Sequence, residues 1–302
     1  MTKVNVAVTI GICVKNCEKT IGETLDSILT QDYPHSLIEI IIVDDGCNDN
    51  TISIIMDKLS RSDLKFKILQ TNGSGLGLAR QKVVDHAEGK YVIWIDGDMV
   101  IPPDYIRKQV EFMELHPQVG RARAKWGWDK ARNMLANLQF LAYIEEVRGK
   151  TQSKISGTGG SIFRISAIKD AGGFDTRIRG AGEDVDLAIR MLARGWDFAV
   201  SKTVFYHKPK TSWRDLWIQY LWYGYGGHYL SHKYRKRKMA LVRPLPVAIA
   251  VSIRKAITAF KFTHKKSAFL LPIFFLISSL AWWMGFIKAH FEKYEPEKSN
   301  PY

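Results

Sequence analysis

The chain has 302 residues, of which 46% are hydrophobic and 25% charged, and its net charge is +14. This length suits one large α/β domain or two smaller ones, and the composition excludes disordered and collagen-like classes. Cys13, Cys17 and Cys47 match neither a secreted disulfide framework nor a zinc-site spacing, so we interpret them as small buried residues. The first residues show no signal-peptide pattern, which favours a cytosolic catalytic region.

Strands and helices alternate along the first 200 residues. Val4–Val14 is rich in β-branched residues and predicts a strand, and Ile38–Val43 is apolar on both faces, as in a central parallel strand. Thr20 and Glu23 form a capping-box pattern at the start of a helix. This alternation predicts a doubly wound α/β sheet. Strands are also predicted at Phe66–Leu69, Tyr91–Ile95, Ile162–Arg164 and Phe198–Tyr206. Helices are predicted from Thr51, from Gly77 to Ala87 and over Glu183–Arg194.

Paired carboxylates follow two of the predicted buried strands directly. Asp44 and Asp45 come after the apolar central strand, and Asp96 and Asp98 come after Tyr91–Ile95. In doubly wound sheets, ligands bind beyond the carboxyl ends of the strands. Carboxylate oxygens are the ligands that hard divalent cations prefer, and two of them leave coordination positions for phosphate oxygens. The sequence therefore predicts a metal site at this edge of the sheet.

Two later segments are candidates for contact with a second substrate. Ile155–Ser161 is dense with glycines and hydroxyls, so we expect Gly159, Gly160 and Ser161 to approach an acceptor closely. The alternative is a plain turn before the next strand. Trp222 lies in an aromatic-rich stretch further along the chain and is a fourth candidate for acceptor contact.

The excess positive charge lies in a single stretch. Residues 202–266 contain 15 Lys and Arg against one acid, whereas the segments before and after it are neutral. A neutral domain with a basic attachment has this distribution, and a uniformly basic nucleic-acid binder does not. We expect this stretch to contact anionic membrane lipids and no nucleic acid.

An uncharged segment follows the basic stretch. Residues 268–287 would span about 30 Å as a helix, the thickness of a bilayer's hydrocarbon core. Val247–Phe260 mixes apolar residues with Arg254 and Lys255 and predicts an amphipathic helix that lies on the membrane or inserts into it. The positive charge predicts a cytoplasmic catalytic part and a single-pass helix with the C-terminus on the far side. The predicted domains are 1–230 (catalytic), 231–266 (basic interfacial) and 267–302 (transmembrane helix and short tail).

Over about residues 4–230 the ordered motifs resemble family 2 glycosyltransferases, enzymes of the GT-A fold. The resemblance implies a GT-A-type mixed sheet, a nucleotide-diphosphate sugar donor, and Mn²⁺ or Mg²⁺ as cofactor. Cys47 stands where the family usually has Ser. The motifs are Lys15-Asn16-Cys17-Glu18, Asp44-Asp45-Gly46 through Thr51, Asn72-Gly73 through Arg80, Asp96-Gly97-Asp98, Gly172-Gly173-Phe174-Asp175 and Gly182-Glu183-Asp184.

On the donor side, the resemblance implies that Asp44 and Asp45 contact the nucleotide and that Asp96 contacts both donor and metal. Family members often place a metal-ligating histidine near His207. Arg80 could contact a donor phosphate through two hydrogen bonds, and the alternative for it is a surface arginine on a helix. The implied metal ligands are Asp96, Asp98 and His207.

For catalysis, the resemblance assigns the Glu183-Asp184 pair and favours Asp184 as the general base, with Asp186 as the competing carboxylate. Around Gln219 and Trp222 the chain lacks the arginine of the family's Gln-x-x-Arg-Trp motif, which argues against processive synthesis. We therefore predict an inverting enzyme that moves one sugar from a UDP- or GDP-linked donor to a polyprenyl-linked lipid or a glycan. The alternatives are a sugar-phosphate nucleotidyltransferase and a non-enzymatic basic protein that binds membranes or nucleic acid.

Overall fold

The structure is a computed structural model that describes residues 6–128, 133–147, 157–235 and 245–296. Within these ranges eight strands form one sheet: β1 (Val8–Val14), β2 (Ile38–Asp44), β3 (Lys65–Gln70), β4 (Tyr91–Trp94), β5 (Met99–Val100), β6 (Val119–Trp128), β7 (Ser161–Arg164) and β8 (Asp197–His207). Their order is β3-β2-β1-β4-β7-β6-β8-β5. The first four strands pair in parallel, and β4–β7, β7–β6 and β5–β8 are antiparallel. The predicted mixed sheet is confirmed.

The parallel half of the sheet brings the two carboxylate pairs to one edge. All seven residues of β2 are buried, as expected for a central strand with apolar residues on both faces. β1 pairs with β2 from Val8–Ile38 to Val14–Asp44, and with β4 up to Gly11–Trp94. The ends of these three strands therefore lie side by side, and the acidic loops follow directly from two of them.

Helices cover both faces of the sheet. Residues of α1, α2 and α4 join one buried apolar cluster with β1 and β2, and residues of α3, α7 and α8 join a second. This arrangement is the doubly wound one. The helices of the described ranges are α1 (Ile21–Leu29), α2 (Thr51–Leu59), α3 (Leu76–His86), α4 (Tyr105–Leu115), α5 (Met134–Ala142), α6 (Ile144–Val147), α7 (Ile165–Asp170), α8 (Glu183–Ala193), α9 (Trp213–Lys233), α10 (Leu245–Thr263) and α11 (Leu271–Phe291).

The predicted capping box at α1 is wrong in one respect. Thr20 is the N-cap residue, but its side chain makes no capping hydrogen bond to the helix. Its hydroxyl instead donates to the carbonyl oxygen of Cys17 at 3.3 Å, so the preceding turn has taken the donor that the pattern assigned to the helix. The three cysteines are free, as predicted, and pack against the core, but each is only partly buried.

The chain divides into two compact units. The first comprises residues 1–127, 153–179 and 183–207, and the second comprises residues 128–152, 180–182 and 208–302. Residues 208–230, which the sequence assigned to the catalytic domain, thus belong to the second unit. The predicted functional boundaries near residues 230 and 266 stay a prediction, and residues 236–244 of the basic segment lie outside the described ranges.

In the second unit, α9 and α11 pack closely because glycines remove side chains at their contact. A Cβ on Gly224 would overlap the carbonyl oxygen of Trp282, and one on Gly285 would overlap that of Leu221. In the described ranges, Lys266–Phe291 is long and apolar enough to cross a membrane by length and composition. Large apolar side chains of α10 and α11 are also exposed: Val247, Ile249, Ile253, Ile257, Ile273, Leu276, Leu280, Met284, Ile287 and Phe291.

Candidate active site

Backbone amides fix the first aspartate of the site at the end of β2. Asp44 is 7% exposed, and its Oδ1 accepts hydrogen bonds from the amides of Gly46 at 3.0 Å and Cys47 at 2.7 Å. These bonds close the turn by which the chain leaves the strand. Burial raises the pKa of Cys47 to about 11, so the thiol in this turn stays neutral at physiological pH.

Asp45 joins the loop after β2 to the loop before α3. Its Oδ1 accepts hydrogen bonds from the hydroxyl of Thr71 at 2.6 Å and the amide of Gly75 at 3.2 Å. Gly75 has φ +96°, and a Cβ there would lie 2.6 Å from the Cα of Arg179, so the loop requires glycine. The other carboxylate oxygen of Asp45 lies 3.9 Å from the ammonium of Lys15.

The second carboxylate pair occupies a tight turn between β4 and β5. The amide of Met99 donates to the carbonyl oxygen of Asp96 at 3.0 Å, which closes the turn. Because Met99 pairs with His207 in the antiparallel β5–β8 ladder, the histidine lies beside the turn. Nε2 of His207 is 3.2 Å from Oδ1 of Asp98. Two of the three predicted metal ligands are therefore adjacent, and the third, Asp96, is 40% exposed at the same turn.

A glycine pair lies directly against this turn. A Cβ on Gly159 would overlap Oδ2 of Asp96 and would lie 3.0 Å from the sulfur of Met99. Gly160 has φ +67°, and a Cβ there would overlap the ring of Phe205. The segment before β7 thus needs glycine at both positions for backbone to approach the carboxylates this closely.

Arg80 links the two carboxylate motifs through a buried guanidinium. The side chain of Arg80 is 5% exposed, its Nη1 donates to Glu183, and its Nη2 lies 3.6 Å from Oδ1 of Asp96. The guanidinium also lies over the ring of Trp94, 5.5 Å from the ring centre. Residues 96 and 183 are distant in sequence, and this contact brings the turn after β4 and the start of α8 to one place.

The charges of this region act on each other because they are buried. Burial raises the pKa of Cys13, at the end of β1, to about 12, with Arg80 opposing the shift and Asp96 adding to it. Burial also raises the pKa of Glu183 to about 7; Arg80 lowers it again in part, while the neighbouring charge of Asp184 raises it. The site is a compact electrostatic network around Arg80.

The carboxylate of the candidate base, Asp184, is held by different contacts from those of its neighbour Glu183. Asp184 is half-buried at the start of α8, and its carboxylate accepts a hydrogen bond from the amide of Gly157. The carbonyl oxygen of Gly157 in turn accepts a hydrogen bond from the buried guanidinium of Arg121 on β6. A half-buried carboxylate held in place by a backbone amide is suited to accept a proton.

Asp186 is placed differently, although it lies only two residues further on. Its side chain is fully buried, and Oδ2 accepts hydrogen bonds from Nε of Arg190 at 3.0 Å and from Nη2 at 2.6 Å. Arg190 also donates to the carbonyl oxygen of Ala171. This ion pair anchors α8 to the turn after α7, so the geometry favours Asp184 over Asp186 as the group that meets substrate.

Comparison with known families decides what this site belongs to. The sequence model of glycosyl transferase family 2 matches residues 9–172, and that of glycosyl transferase family group 2 matches residues 91–290. The chain belongs to glycosyltransferase family 2. Family membership decides against the nucleotidyltransferase and the non-enzymatic alternatives.

Curated relatives are consistent with this family. Poly-beta-1,6-N-acetyl-D-glucosamine synthase of Staphylococcus epidermidis is 28% identical over 229 residues, which cover 70% of this chain and 52% of that protein. Poly(ribitol-phosphate) beta-N-acetylglucosaminyltransferase TarS of Staphylococcus aureus is 34% identical over 101 residues, or 33% of this chain and 18% of that protein. The chain thus spans about half the length of the synthase, which it matches over most of its own length.

Solved structures confirm the fold. A mannosyltransferase from Pyrobaculum calidifontis in complex with GDP-Man and Mn²⁺ has a TM-score of 0.61 at 19% identity, covering 95% of this chain and 87% of that one. Residues 1–349 of Staphylococcus aureus TarS in complex with UDP have a TM-score of 0.54 at 16% identity, covering 95% and 92%. The GT-A-type sheet predicted for this family 2 chain is therefore present.

The structure shows the surroundings of Ser161 and Arg80. Ser161 is fully buried, and its hydroxyl lies 3.3 Å from Arg121 and 3.4 Å from the carbonyl oxygen of Gly157, so it supports the glycine segment, and its contact with an acceptor stays a prediction. Arg80 is buried, so its interpretation as a surface arginine is wrong. Trp222 lies on α9 in the second unit, and its acceptor role stays a prediction.

Sequence reasoning missed Arg121 and the strand that carries it. Arg121 is 1% exposed, stacks over the rings of Phe163 and Phe198 at 5.1 and 5.6 Å, and supports the loop that holds Asp184. Burial lowers its pKa to about 9, which still leaves it charged at physiological pH. The signal was the alternation of Arg121 and Arg123 with small residues within Val119–Trp128, a pattern compatible with a strand.

Proposed function

We propose that this family 2 chain transfers one sugar from a UDP- or GDP-linked donor to an acceptor, with inversion at the sugar's anomeric carbon. The observation that carries the proposal is the contact of Arg80 with both Asp96 and Glu183, since it places the start of α8, where the candidate base Asp184 follows Glu183, beside a candidate metal and diphosphate site. The names of structural neighbours supply the two donor classes: one TarS structure is a complex with UDP, and the mannosyltransferase is a complex with GDP-Man and Mn²⁺.

The residues around Asp98 fit a divalent metal ion. Asp98 and His207 place an oxygen and a nitrogen 3.2 Å apart, Asp96 is partly exposed beside them, and a side chain on Gly159 would overlap the Asp96 carboxylate. Two carboxylates and an imidazole suit Mn²⁺ better than Mg²⁺, because Mg²⁺ prefers oxygen ligands alone. When bound, such an ion would neutralise charge on the departing diphosphate.

The chain's own residues then have distinct tasks. Asp44 and Asp45, fixed by backbone amides, face the nucleotide and orient the donor. Asp184 accepts the proton of the acceptor hydroxyl while that oxygen bonds to the anomeric carbon and the bond to the diphosphate breaks. The backbone of Gly159 and Gly160 lies beside Asp96 and Phe205 and would contact the acceptor. The products are the glycosylated acceptor, a nucleoside diphosphate and a proton on Asp184.

Two substitutions test the separate roles proposed for Asp184 and Asp98. Asp184→Asn keeps shape and a hydrogen-bonding oxygen, so donor affinity with Mn²⁺ should stay within a few-fold while turnover falls by about 10²–10⁴. Asp98→Ala should lose metal-dependent donor binding as well as turnover. Asp186→Asn is the control that should lower stability without removing the base. Donor affinity that falls with Asp184→Asn as it does with Asp98→Ala would refute the proposed roles.

The pH profile of the wild type identifies the acceptor class. With a hydroxyl acceptor, the rate should have an acidic limb at the pKa of the base. A polyprenyl phosphate is already ionised at neutral pH and needs no base, so the effect of Asp184→Asn should then be smaller and nearly independent of pH. Either pH profile is consistent with the proposed glycosyl transfer, whereas the absence of transfer to both acceptor classes would refute it.

We further propose that the second unit attaches the enzyme to a membrane through the exposed apolar face of α10 and α11. On α11 this face repeats at helical spacing along Ile273, Leu276, Leu280, Met284 and Ile287. Lysines and arginines of α10 and of the turn before α11 would meet anionic headgroups. The attachment would place a lipid-linked acceptor near the enzyme, with the catalytic part on the cytoplasmic side.

Membrane fractionation of the full chain tests this attachment. The wild type should stay in the pellet in 1 M salt, where screening reduces the Debye length to about 3 Å, because the apolar face remains buried in lipid. The triple variant Leu276→Asp, Leu280→Asp, Met284→Asp should be released. Retention of this variant, or release of the wild type by salt alone, would contradict attachment through the apolar face. Resistance to alkaline extraction would favour a crossing helix over an interfacial one.

A further inference from the structure

Three histidines and one glutamate meet in the second unit, where α9 ends and the chain leaves α11. We call them the histidine cluster: His228, His232, His290 and Glu295. His228 and His232 are four residues apart on α9, so their rings lie on one face of the helix. Together with Glu295 they bring one possible ligand atom each to within 4.8 Å of one another. His290 lies next to this group, with its Nδ1 3.4 Å from Nε2 of His228.

The hydrogen bonds of His228 determine which nitrogen faces the cluster. His228 is fully buried, and its Nδ1 lies 3.0 Å from the carbonyl oxygen of Tyr294. Because a carbonyl oxygen only accepts hydrogen bonds, Nδ1 carries the proton, which leaves the lone pair of Nε2 directed at the cluster. Metal-binding histidines generally donate their second ring nitrogen to such an acceptor, which fixes both tautomer and ring orientation.

The turn after α11 places the fourth side chain. Lys293 has φ +52°, and the amide of Tyr294 donates back to the carbonyl oxygen of Ala289 at 2.9 Å, so the chain reverses at the end of the helix. The ring of Tyr294 stacks on Tyr225 of α9 with centres 4.6 Å apart. As a result the carboxylate of Glu295 lies 3.7 Å from Nδ1 of His232.

We propose that the histidine cluster binds a zinc ion that fastens the end of α9 to the chain after α11. In a tetrahedral zinc site, ligands about 2.0–2.1 Å from the metal are about 3.4 Å from one another. The separations of 3.4 Å between His228 and His290 and 3.7 Å between His232 and Glu295 are close to this value. Imidazole nitrogens select zinc over the hard cations that suit the carboxylates of the candidate active site.

The test measures zinc and not sugar transfer, so its outcome is separate from that of the proposed function. The full chain carrying Asp98→Ala, which weakens metal binding at the active site, is stripped with a chelator and titrated with Zn²⁺ against a competing indicator. We expect one zinc per chain. His232→Asn and Glu295→Gln change half-exposed side chains that the fold tolerates, and each should weaken zinc binding at least 10-fold. His264→Asn, at an exposed histidine of the same unit, should change nothing.

A rescue variant separates coordination from simple packing. His232→Cys supplies a thiolate, another good zinc ligand, and should bind zinc where His232→Asn does not. With Co²⁺ as the probe, His232→Cys should also show a sulfur-to-cobalt charge-transfer band that the other variants lack. The proposal fails if the Asp98→Ala chain takes up no zinc, or if His232→Asn and Glu295→Gln bind it as tightly as the His264→Asn control. Either result would leave the cluster as a network of hydrogen bonds and ion pairs.

Discussion

Replacement of Arg80 by methionine tests the centre of the active-site network. Arg80→Met keeps the length and the apolar stem of the side chain but removes the cation that faces Glu183 and Asp96. At pH 8, above the raised pKa of about 7, Glu183 is ionised and only 2% exposed. Removal of one partner from a buried ion pair typically costs about 3–5 kcal/mol, because the remaining charge is left uncompensated in the interior.

A second buried pair on the same helix provides a matched control. Arg190 and Asp186 form an ion pair whose side chains are 10% and 0% exposed, and Arg190 also donates to the carbonyl oxygen of Ala171, in the turn after α7. Arg190→Met should therefore lower the free energy of unfolding by a similar amount and leave donor affinity within a few-fold. Arg80→Met should lower both, because Asp96 loses the guanidinium that lies 3.6 Å from its carboxylate.

A double variant separates charge from packing. Arg80→Met with Glu183→Gln removes both charges, so unfolding should return to within about 1–2 kcal/mol of the wild type while donor affinity stays low. Chemical denaturation at pH 8 and calorimetric titration with donor and Mn²⁺ measure the two effects. The reasoning is refuted if Arg80→Met costs less than about 1 kcal/mol, or if Arg190→Met weakens donor binding as much as Arg80→Met does.

Two further substitutions probe the same site. Gly159→Ala would push the Asp96 carboxylate aside by about 1 Å, and misplacement on that scale lowers kcat/KM by about 10²-fold. The control is Gly22→Ala in α1, where an added Cβ would lie 3.4 Å from its nearest neighbour and should leave kcat/KM unchanged. Equal kcat/KM values for both variants would show that Gly159 is dispensable. Because burial raises the pKa of Glu183 from 4.5 to about 7, the folded chain holds a proton there that the unfolded chain has released, so the free energy of unfolding should fall as pH rises through this window. Denaturation across pH should show that Glu183→Gln flattens this fall, and an unchanged slope would assign it to another group.

The sequence predicts the parallel half of the fold well because local patterns of apolar residues and turns mark its strands and helices. β2 is buried over its whole length, as the apolar run Ile38–Val43 requires, and the edge rule for parallel sheets correctly places both acidic loops together. The antiparallel half was predicted only in part. The strands predicted at Ile162–Arg164 and Phe198–Tyr206 are present as β7 and β8, but β6 was missed. β6 contains Arg121 inside the protein, and an arginine at an inward position hides the apolar alternation on which strand prediction depends.

The contacts of individual site residues could not be predicted, because they depend on tertiary closure. Arg80 meets Glu183 across 103 residues of sequence, and no local pattern indicates that an arginine on α3 turns inward. Thr20 shows the same limit at short range, since its hydroxyl bonds to Cys17 and not to the helix that the motif predicts. The motifs predicted candidate residues, and the three-dimensional contacts show which of them touch.

The consecutive residues Glu183 and Asp184 are held by two independent supports, and this separation has a functional consequence. Neighbouring positions on a helix differ by about 100° in direction, so the two carboxylates of α8 face different surroundings. Glu183 turns to Arg80 and, through it, to the candidate metal site, whereas Asp184 turns to Gly157 and, through it, to Arg121. Under the proposed roles, β6 and Gly157 position the base, and α3 positions the diphosphate site. The glycine segment also touches Asp96 at Gly159, so a substitution at Gly157 should act mainly on the base, whereas one at Gly159 should act mainly on the diphosphate site.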